Sequence, residues 1–144
     1  MKYIFTHIEK CAGTSFKESL ELTFLRYIQV SKNFYGGNDK KNDLTSNQLK
    51  EVKKLLPSGI GGHAVRPYLD FIDFKKNFSI TFLRYPLERY MSQYNHDKEM
   101  GFSRDFKHFL SRDYMKNFMV NKIAGDNDLD KAIDINNLFI ILQN

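Results

Sequence analysis

Two short stretches of the chain combine basic, hydroxyl-bearing and glycine residues in an order suited to binding phosphate or sulfate groups. The first, FTHIEKCAGTSF at 5–16, and the second, FLRYPLERYMSQY at 82–94, each begin as an apolar run typical of a buried strand and continue into a helical pattern. The free N–H groups and the positive dipole end of a helix N-terminus bind anions. Two such junctions in one small protein predict a ligand that carries an anionic group at each end.

The first junction places a lysine and a glycine-led turn at the start of a helix. Lys10 supplies a compact positive charge, Gly13 lets the backbone approach an oxyanion closely, and Thr14 or Ser15 can cap the helix. A Walker A loop has its lysine after the glycines, whereas Lys10 precedes Gly13. An ordinary magnesium-dependent nucleotide hydrolase is therefore not indicated. The same residues are equally compatible with a plain strand–turn–helix that carries a solvated lysine.

The second junction places arginine at the end of a strand and proline at the start of the next helix. Arg89, Ser92 and His96 then share one face of that helix, and the opposite face is predicted to join the core; it comprises Leu87, Tyr90, Met91 and Tyr94. Arginine offers forked donors that match phosphate, and Ser92 adds a hydroxyl. Arg84 and Ser92 together favour a ligand contact, whereas Arg89 could equally pair with a surface carboxylate.

The remaining pattern alternates strands with helices. Strands are predicted at 3–8, 58–63, 78–83 and 138–144; helices are predicted from about 14 and from 86, and at 45–56, 67–73, 103–110, 112–123 and 128–137. Residues 31–44 are predicted to form an exposed loop. Strands that alternate with helices favour a three-layer α/β domain whose central sheet is mainly parallel and flanked by helices on both sides. The whole chain, 1–144, is interpreted as one domain.

Composition restricts the partners and the compartment. The net charge of +5 favours anionic partners, and the single cysteine, Cys11, excludes an internal disulfide. No apolar run approaches the roughly 18 residues of a membrane span. The first strand begins directly after Met1, which leaves no room for a signal peptide. These features predict a cytoplasmic protein without a transmembrane segment.

The two junctions together resemble the sulfotransferases that use 3′-phosphoadenosine 5′-phosphosulfate (PAPS), in particular the carbohydrate-type branch with the heparan and uronyl 2-O-sulfotransferases and their bacterial relatives. The first motif of that family, approximately H-I-x-K-[TC]-A-G-T-[ST]-[FL], is similar to residues 7–16. The second, R-x-P-x-x-R-x-x-S-x-Y, is matched at every fixed position of residues 84–94. A weaker resemblance extends to NKIAG at 121–125. It implies a P-loop-like fold and a bacterial sulfotransferase.

The resemblance also implies roles for individual residues. The turn after the first strand would hold the 5′-phosphosulfate, and the second motif would hold the 3′-phosphate. The donor-binding residues so implied are Lys10, Cys11, Ala12, Gly13, Thr14, Ser15, Arg84, Arg89 and Ser92. The segment GGHAVRPYLDF at 61–71 is similar to the one that carries the catalytic base of the family, which points to His63, while Lys10 would stabilise charge on the departing nucleotide. No metal is required.

Two departures from the family pattern concern the acceptor. The 2-O-sulfotransferases carry a second histidine two positions before the base, where this chain has Gly61, and proline is common where this chain has Glu9. The expected acceptor is therefore a carbohydrate hydroxyl, on a glycan or glycolipid, but not necessarily a uronic acid. His7, within the first strand, is expected to be packed in the fold and not catalytic. Nucleic acid is not an expected partner, because aromatic and basic residues do not alternate on one face.

Two alternative functions remain, one suggested by the end of the chain and the other by the first motif. LFIILQN at 138–144 ends the sequence where family members usually continue, so the domain is expected to be short at its C-terminus. One alternative is therefore a truncated remnant that binds nucleotide without turnover. The other is a P-loop-like nucleotide kinase.

Overall fold

A parallel sheet forms the centre of the molecule. The computed structural model describes residues 1–30, 43–136 and 140–143. Its strands are β1 (Tyr3–Thr6), β2 (Tyr27–Gln29), β3 (Gly59–Gly62), β4 (Phe78–Leu83) and β5 (Ile140–Gln143). They form one five-stranded sheet in the order β2-β3-β1-β4-β5, and every neighbouring pair is parallel. β1 is therefore the central strand, with β3 on one side and β4 on the other.

The helices connect these strands. They are α1 (Gly13–Thr23), α2 (Ser46–Lys54), α3 (Pro86–Glu99), α4 (Phe106–Leu110), α5 (Phe118–Ala124) and α6 (Leu129–Asn136), with a 3-10 turn at Asp113–Met115. None of the helices in the described ranges is long and apolar enough to cross a bilayer.

The alternation of side chains along β1 attaches helices to both faces of the sheet. Ile4 is fully buried in one apolar cluster together with Leu49 of α2. The next residue, Phe5, points to the other face, where its ring lies 5.1 Å from that of Phe16 in α1. Burial on both faces explains why β1 consists of aromatic and β-branched residues. The predicted α/β architecture with a parallel sheet between helices is confirmed.

Several predicted elements match the structure closely. The strand at 78–83 has the predicted bounds, and α2 begins at the predicted capping box, in which Thr45 and Gln48 bond each other's backbone. Gly125 ends α5 in the left-handed conformation, as expected of a helix C-cap. Most of the predicted loop at 31–44 lies outside the described residues, as do 137–139 and 144 of the last helix and strand.

Other predictions are wrong for local reasons. The short strand β2 was not predicted, and the helix predicted at 67–73 is a series of turns. Those turns follow from a buried contact: Arg66 Nε donates to Asp43 Oδ1 at 3.2 Å, and the Tyr68 hydroxyl donates to the same carboxylate. The helix predicted at 112–123 is divided because Asn117 adopts a left-handed backbone, with φ 49°, just before α5.

Because the strands are parallel, their carboxyl ends lie at one edge of the sheet. The segments that follow β1, β3 and β4, which occupy adjacent positions in the sheet, contain Lys10, His63 and Arg84. Open α/β sheets bind ligands at this edge, where the strand order reverses. The topology thus brings the two basic junctions and the predicted base to the same side of the molecule.

Gly61 lies where β3 packs against β1 without space for a side chain. A Cβ atom at this position would stand 2.7 Å from Phe5 Cβ and 2.9 Å from the Phe5 carbonyl oxygen, and it would overlap the Tyr27 hydroxyl. Tyr27, on the neighbouring strand β2, therefore occupies the space that a histidine at position 61 would need.

Gly61→Ala should destabilise the fold, because the added methyl group would overlap Phe5 across the β1–β3 pair. Overpacking costs about 1–3 kcal/mol, and we expect the free energy of unfolding in urea to fall by that amount. Asn47→Ala, at an exposed position of α2, should stay within about 0.5 kcal/mol of the unsubstituted protein. Equal stability of Gly61→Ala and Asn47→Ala would contradict this close packing.

Candidate anion-binding site

A cavity of about 220 Å³ lies between the two strand-to-helix junctions. It is lined by residues from both predicted motifs: His7, Lys10, Ala12, Gly13, Thr14, Arg84 and Ser92. Three of the sequence-predicted site residues, Cys11, Ser15 and Arg89, do not line it, and His63 lies beside it, against His7. The fold therefore brings six of the predicted site residues, from both motifs, to one cavity.

The loop between β1 and α1 has an unusual backbone. Lys10 and Ala12 both have positive φ, 64° and 60°, although neither is a glycine. A left-handed conformation costs a residue with a side chain about 1–2 kcal/mol, and such residues are concentrated at functional sites. The loop therefore holds a conformation that its own residue types disfavour.

The N-terminus of α1 is left without a side-chain cap. Ala12 occupies the N-cap position, and no side chain accepts a hydrogen bond there. The prediction that Thr14 or Ser15 caps this helix is wrong, because the left-handed turn at Ala12 starts the helix already at Gly13. Uncapped N–H groups in the first turn of an eleven-residue helix are available to an anion.

Gly13 is required by its contact with His7. A Cβ atom at Gly13 would lie 2.6 Å from His7 Nε2 and 3.0 Å from Phe5 Cζ. His7, which the sequence led us to expect as a packed residue, is buried and also lines the cavity. The glycine thus lets the helix start approach the imidazole and brings the loop against the end of β1.

The second junction contributes Arg84 and Ser92. Arg84 Nε lies 3.3 Å from Glu88 Oε2, but both side chains are substantially exposed, and such surface pairs contribute roughly 0–1 kcal/mol. An anionic ligand can therefore compete with Glu88 for the guanidinium. Lys10 has no hydrogen-bond or ion-pair partner in the described part of the chain, and no carboxylate lines the cavity there. The charge of the site is positive and suits an anion.

Arg89 is buried inside the fold, where it contacts the loop between β1 and α1. Its side chain is fully buried; Nε donates to the Glu9 carbonyl oxygen at 3.2 Å, and the guanidinium lies 3.6 Å from the centroid of the Phe118 ring. Leu87 and Met91, predicted to be core, are exposed instead. The buried face of α3 is therefore rotated from the predicted one, and Arg89, which was expected to contact the ligand, does not line the cavity and contacts the β1–α1 loop at Glu9.

His63 lies at the end of β3 and is held by the end of β1. Its Nδ1 is 3.1 Å from the His7 carbonyl oxygen and 3.4 Å from Glu9 Oε1, and its ring stacks on His7 with centroids 4.1 Å apart. The His63 side chain retains 30% of its exposure, so it is accessible from one side. A histidine fixed through one nitrogen and open at the other can exchange a proton with a ligand.

Burial keeps both imidazoles neutral. Desolvation lowers the pKa of His63, although Glu9 opposes the shift, and desolvation together with the nearby His63 lowers the pKa of His7 to about 4. A histidine acts as a base only when it is unprotonated, so a pKa below the ordinary value favours the active form at neutral pH. His63 combines this state with exposure and a carboxylate partner, whereas His7 is enclosed between Phe5 and His63.

A buried ion pair lies beside the base, and sequence reasoning did not predict it. Lys122 of α5 places Nζ 3.3 Å from Glu9 Oε1, and the lysine is 2% exposed. Burial opposes ionisation of Glu9, but the charges of Lys122, His63 and Arg66 lower its pKa. Two sequence features pointed to these positions: the carboxylate in place of a proline at position 9 and the NKIAG segment that contains Lys122. Neither feature shows that the two residues pair with each other.

Cys11 belongs to the core beneath the loop. It is 1% exposed and packs in an apolar cluster with Ile8 and Phe118. Burial raises the pKa of its thiol to about 11, so the thiol is neutral at physiological pH. Cys11 therefore anchors the loop by packing, and any part it has in ligand binding must come from its backbone.

An all-parallel α/β sheet with two cationic strand-to-helix junctions at one edge is consistent with a P-loop-like fold. The model of the sulfotransferase family matches residues 1–132, and the chain therefore belongs to the sulfotransferase family. Searches of curated proteins and of solved structures gave no match to this chain.

Replacing each of the two arginines of the second motif should reduce stability by a different amount. Arg89→Ala removes a buried cation–π contact and leaves a void, so we expect a loss of at least about 2 kcal/mol in the free energy of unfolding. Arg84→Ala removes only an exposed ion pair and should cost no more than about 1 kcal/mol. Urea unfolding of both variants measures the difference, and equal stability would contradict the anchoring role of Arg89.

Proposed function

We propose that this protein transfers a sulfuryl group from PAPS to a hydroxyl group of a carbohydrate acceptor. Membership of the sulfotransferase family establishes the general class of reaction. The observation that carries the finer proposal is the single cavity that combines Lys10, Gly13 and Thr14 with Arg84 and Ser92. It provides basic and hydroxyl groups from two separate junctions, as a ligand phosphorylated at two ends requires.

The residues of the cavity fit PAPS in charge and in hydrogen-bonding groups. Lys10, the uncapped amides at the start of α1 and the Thr14 hydroxyl would hold the 5′-phosphosulfate, and Arg84 and Ser92 would hold the 3′-phosphate. The absence of a side chain at Gly13 lets the start of α1 lie directly against His7, which also lines the cavity. Bound PAPS supplies an activated sulfuryl group whose bond to the 5′-phosphate oxygen breaks, with the electron pair leaving on that oxygen, as the acceptor oxygen bonds to sulfur. Lys10 is then the side chain placed to neutralise the charge that develops on the phosphate.

His63 is the proposed general base. Its Nδ1 faces two oxygen acceptors, so Nε2 carries the lone pair when the ring is neutral. Nε2 would take the proton of the acceptor hydroxyl as the new oxygen–sulfur bond forms, which leaves an imidazolium beside Glu9. Because burial lowers the pKa of His63, transfer should decline only at a pH below the range in which an ordinary histidine titrates, as the ring becomes protonated.

The proposed acceptor is a glycan or glycolipid whose hydroxyl group is deprotonated by a single histidine. The resemblance of residues 61–71 to carbohydrate-type enzymes supports a sugar hydroxyl. Tyr27 fills the space beside Gly61, so a second histidine of the 2-O-sulfotransferase type has no place, which favours an acceptor other than a uronic acid. We further propose that residues 1–144 act as one domain in the bacterial cytoplasm, where the single buried Cys11 stays reduced.

Binding of adenosine 3′,5′-bisphosphate, the desulfated donor, should depend on both junctions. We expect Lys10→Ala and Arg84→Ala each to weaken binding by roughly 10- to 100-fold, because each removes a charge-assisted hydrogen bond worth about 1.5–3 kcal/mol. Isothermal titration calorimetry of the full chain measures the affinities.

Lys54→Ala is the matched control, because this exposed lysine pairs with Glu51 on α2. It should bind the bisphosphate like the unsubstituted protein. The two-ended site would be contradicted if all three variants lost affinity equally or if none did.

Loss of the base should strongly reduce the rate of sulfuryl transfer without weakening nucleotide binding. We expect His63→Ala to lower turnover of PAPS with a panel of oligosaccharides by about 100- to 10,000-fold, with affinity for the bisphosphate retained. His108→Ala, in α4 away from the cavity, is the control and should keep full activity. Full turnover by His63→Ala would overturn the base assignment, while binding without turnover in the unsubstituted protein would favour a nucleotide-binding remnant.

A further inference from the structure

We propose that Glu9 is a positioning residue for the base: its carboxylate, held by Lys122, faces the His63 Nδ1 that donates to the His7 carbonyl oxygen, and it stabilises the imidazolium formed during transfer. The inference rests on the proposed function for its catalytic part. Its structural part, the state of the His63 ring, can be measured without turnover.

The contacts of His63 determine where its proton lies. Nδ1 stands 3.1 Å from the His7 carbonyl oxygen and 3.4 Å from Glu9 Oε1, and both atoms only accept hydrogen bonds when Glu9 is ionised. A neutral imidazole carries one proton, so that proton must be on Nδ1. Nε2 is thereby left as the acceptor, which is the state a base needs.

Lys122 keeps the carboxylate in the state required for this task. Its Nζ lies 3.3 Å from the same Glu9 oxygen that faces His63, and it also lies 4.8 Å from the centroid of the Phe118 ring. A buried carboxyl without such a partner would tend to take up a proton. Paired with Lys122, Glu9 stays ionised and places a negative charge beside the imidazole.

The main chain of Glu9 is fixed as firmly as its side chain. Arg89 donates from Nε to the Glu9 carbonyl oxygen at 3.2 Å, and the arginine is itself fully buried. Two cations from separate helices, α3 and α5, therefore hold one residue. A base used repeatedly in the same geometry needs such support, because small displacements of a catalytic group reduce rate strongly.

Glu9 is the one acidic member of the charged groups that act on His63 in the described structure. The others are the cations Arg66 after β3 and Lys122 on α5, while His7 acts through its carbonyl oxygen; Lys17 acts on His7, and Asp43 is engaged by Arg66. Without the Glu9 charge, a protonated His63 would stand among cations only. The carboxylate thus opposes the effect of burial on the basicity of His63.

This arrangement accounts for both departures from the family motifs together. The structure has no space for a second histidine at Gly61, and a carboxylate reaches the base from position 9 instead. An oriented carboxylate behind a histidine holds the correct tautomer and stabilises the protonated ring, as in hydrolytic triads. A proline at position 9 could do neither.

Nuclear magnetic resonance of the full chain tests the structural part. The ¹⁵N signals of His63 should show a protonated Nδ1 and an unprotonated Nε2 at neutral pH. In Glu9→Gln the pKa of His63 should fall further, because the favourable charge is lost. A neutral His63 protonated on Nε2, or a His63 pKa that is the same in Glu9→Gln, would overturn the proposal.

Kinetics tests whether Glu9 acts through His63. With an oligosaccharide that supports turnover, Glu9→Gln should lower kcat about tenfold or more and move the acid limb of the pH profile to lower pH, with affinity for adenosine 3′,5′-bisphosphate kept. The double variant Glu9→Gln/His63→Ala should be no slower than His63→Ala alone, because both changes remove the same effect. The proposal would be overturned if the reductions in kcat of the two single variants multiplied in the double variant.

The controls distinguish a specific effect of Glu9 on His63 from a general loss of stability, and they distinguish failure of this inference from failure of the proposed function. Glu51→Gln, an exposed carboxylate paired with Lys54, should change neither readout. If Glu9→Gln does not fold, the tautomer in the unsubstituted protein and the pKa of His63 in Glu9→Asp, which keeps the charge, still decide the structural part. If no acceptor supports turnover, the proposed function fails, whereas the tautomer and the pKa of His63 still test the role of Glu9.

Discussion

The site depends on buried cations that hold the loop after β1 in a conformation it would not adopt alone. Lys10 and Ala12 are both left-handed, at a cost of about 1–2 kcal/mol each. Arg89 compensates by binding the Glu9 carbonyl oxygen from α3, and Lys122 does so by pairing with the Glu9 carboxylate from α5. Because the same loop supplies the lysine, the uncapped helix start and the carbonyl oxygen that meets His63, its conformation determines the geometry of the whole site.

The distribution of charge explains why an anion is the favoured occupant. Glu9 is shared between Lys122 and His63, and Arg89 meets a carbonyl oxygen and an aromatic ring in place of a carboxylate. Positive charge beneath the loop therefore exceeds negative charge, and Lys10 and Arg84 add to it at the cavity itself. An ion enclosed on one side by protein is screened less than one on an open surface, so this excess acts strongly on a ligand.

The parts predictable from sequence were those encoded locally. A strand of apolar residues that ends in a basic turn, a capping box at Thr45 and a proline at the start of α3 each specify an element by short-range sterics or hydrogen bonds. The parallel sheet followed from their alternation, and its topology brought Lys10 and Arg84 to one edge.

The parts that failed depend on contacts between distant segments. The buried face of α3 is set by Arg89 reaching Glu9, eighty positions earlier in the chain, which no helical periodicity reveals. Likewise the turns at 66–72 follow from Asp43, and the pair of Glu9 with Lys122 joins residues from opposite ends of the chain. Such pairs are satisfied only in the folded state, so a single sequence gives no spacing from which to infer them.

The central claim is that one cavity binds both ends of a single nucleotide. Calorimetric titration of the unsubstituted chain with adenosine 3′,5′-bisphosphate, adenosine 5′-monophosphate and adenosine 3′-monophosphate tests it most directly. We expect the bisphosphate to bind at least about tenfold more tightly than either monophosphate, which corresponds to about 1.4 kcal/mol for the additional phosphate. Equal affinities for the bisphosphate and one monophosphate would contradict the account, because the other junction would then make no contribution to binding.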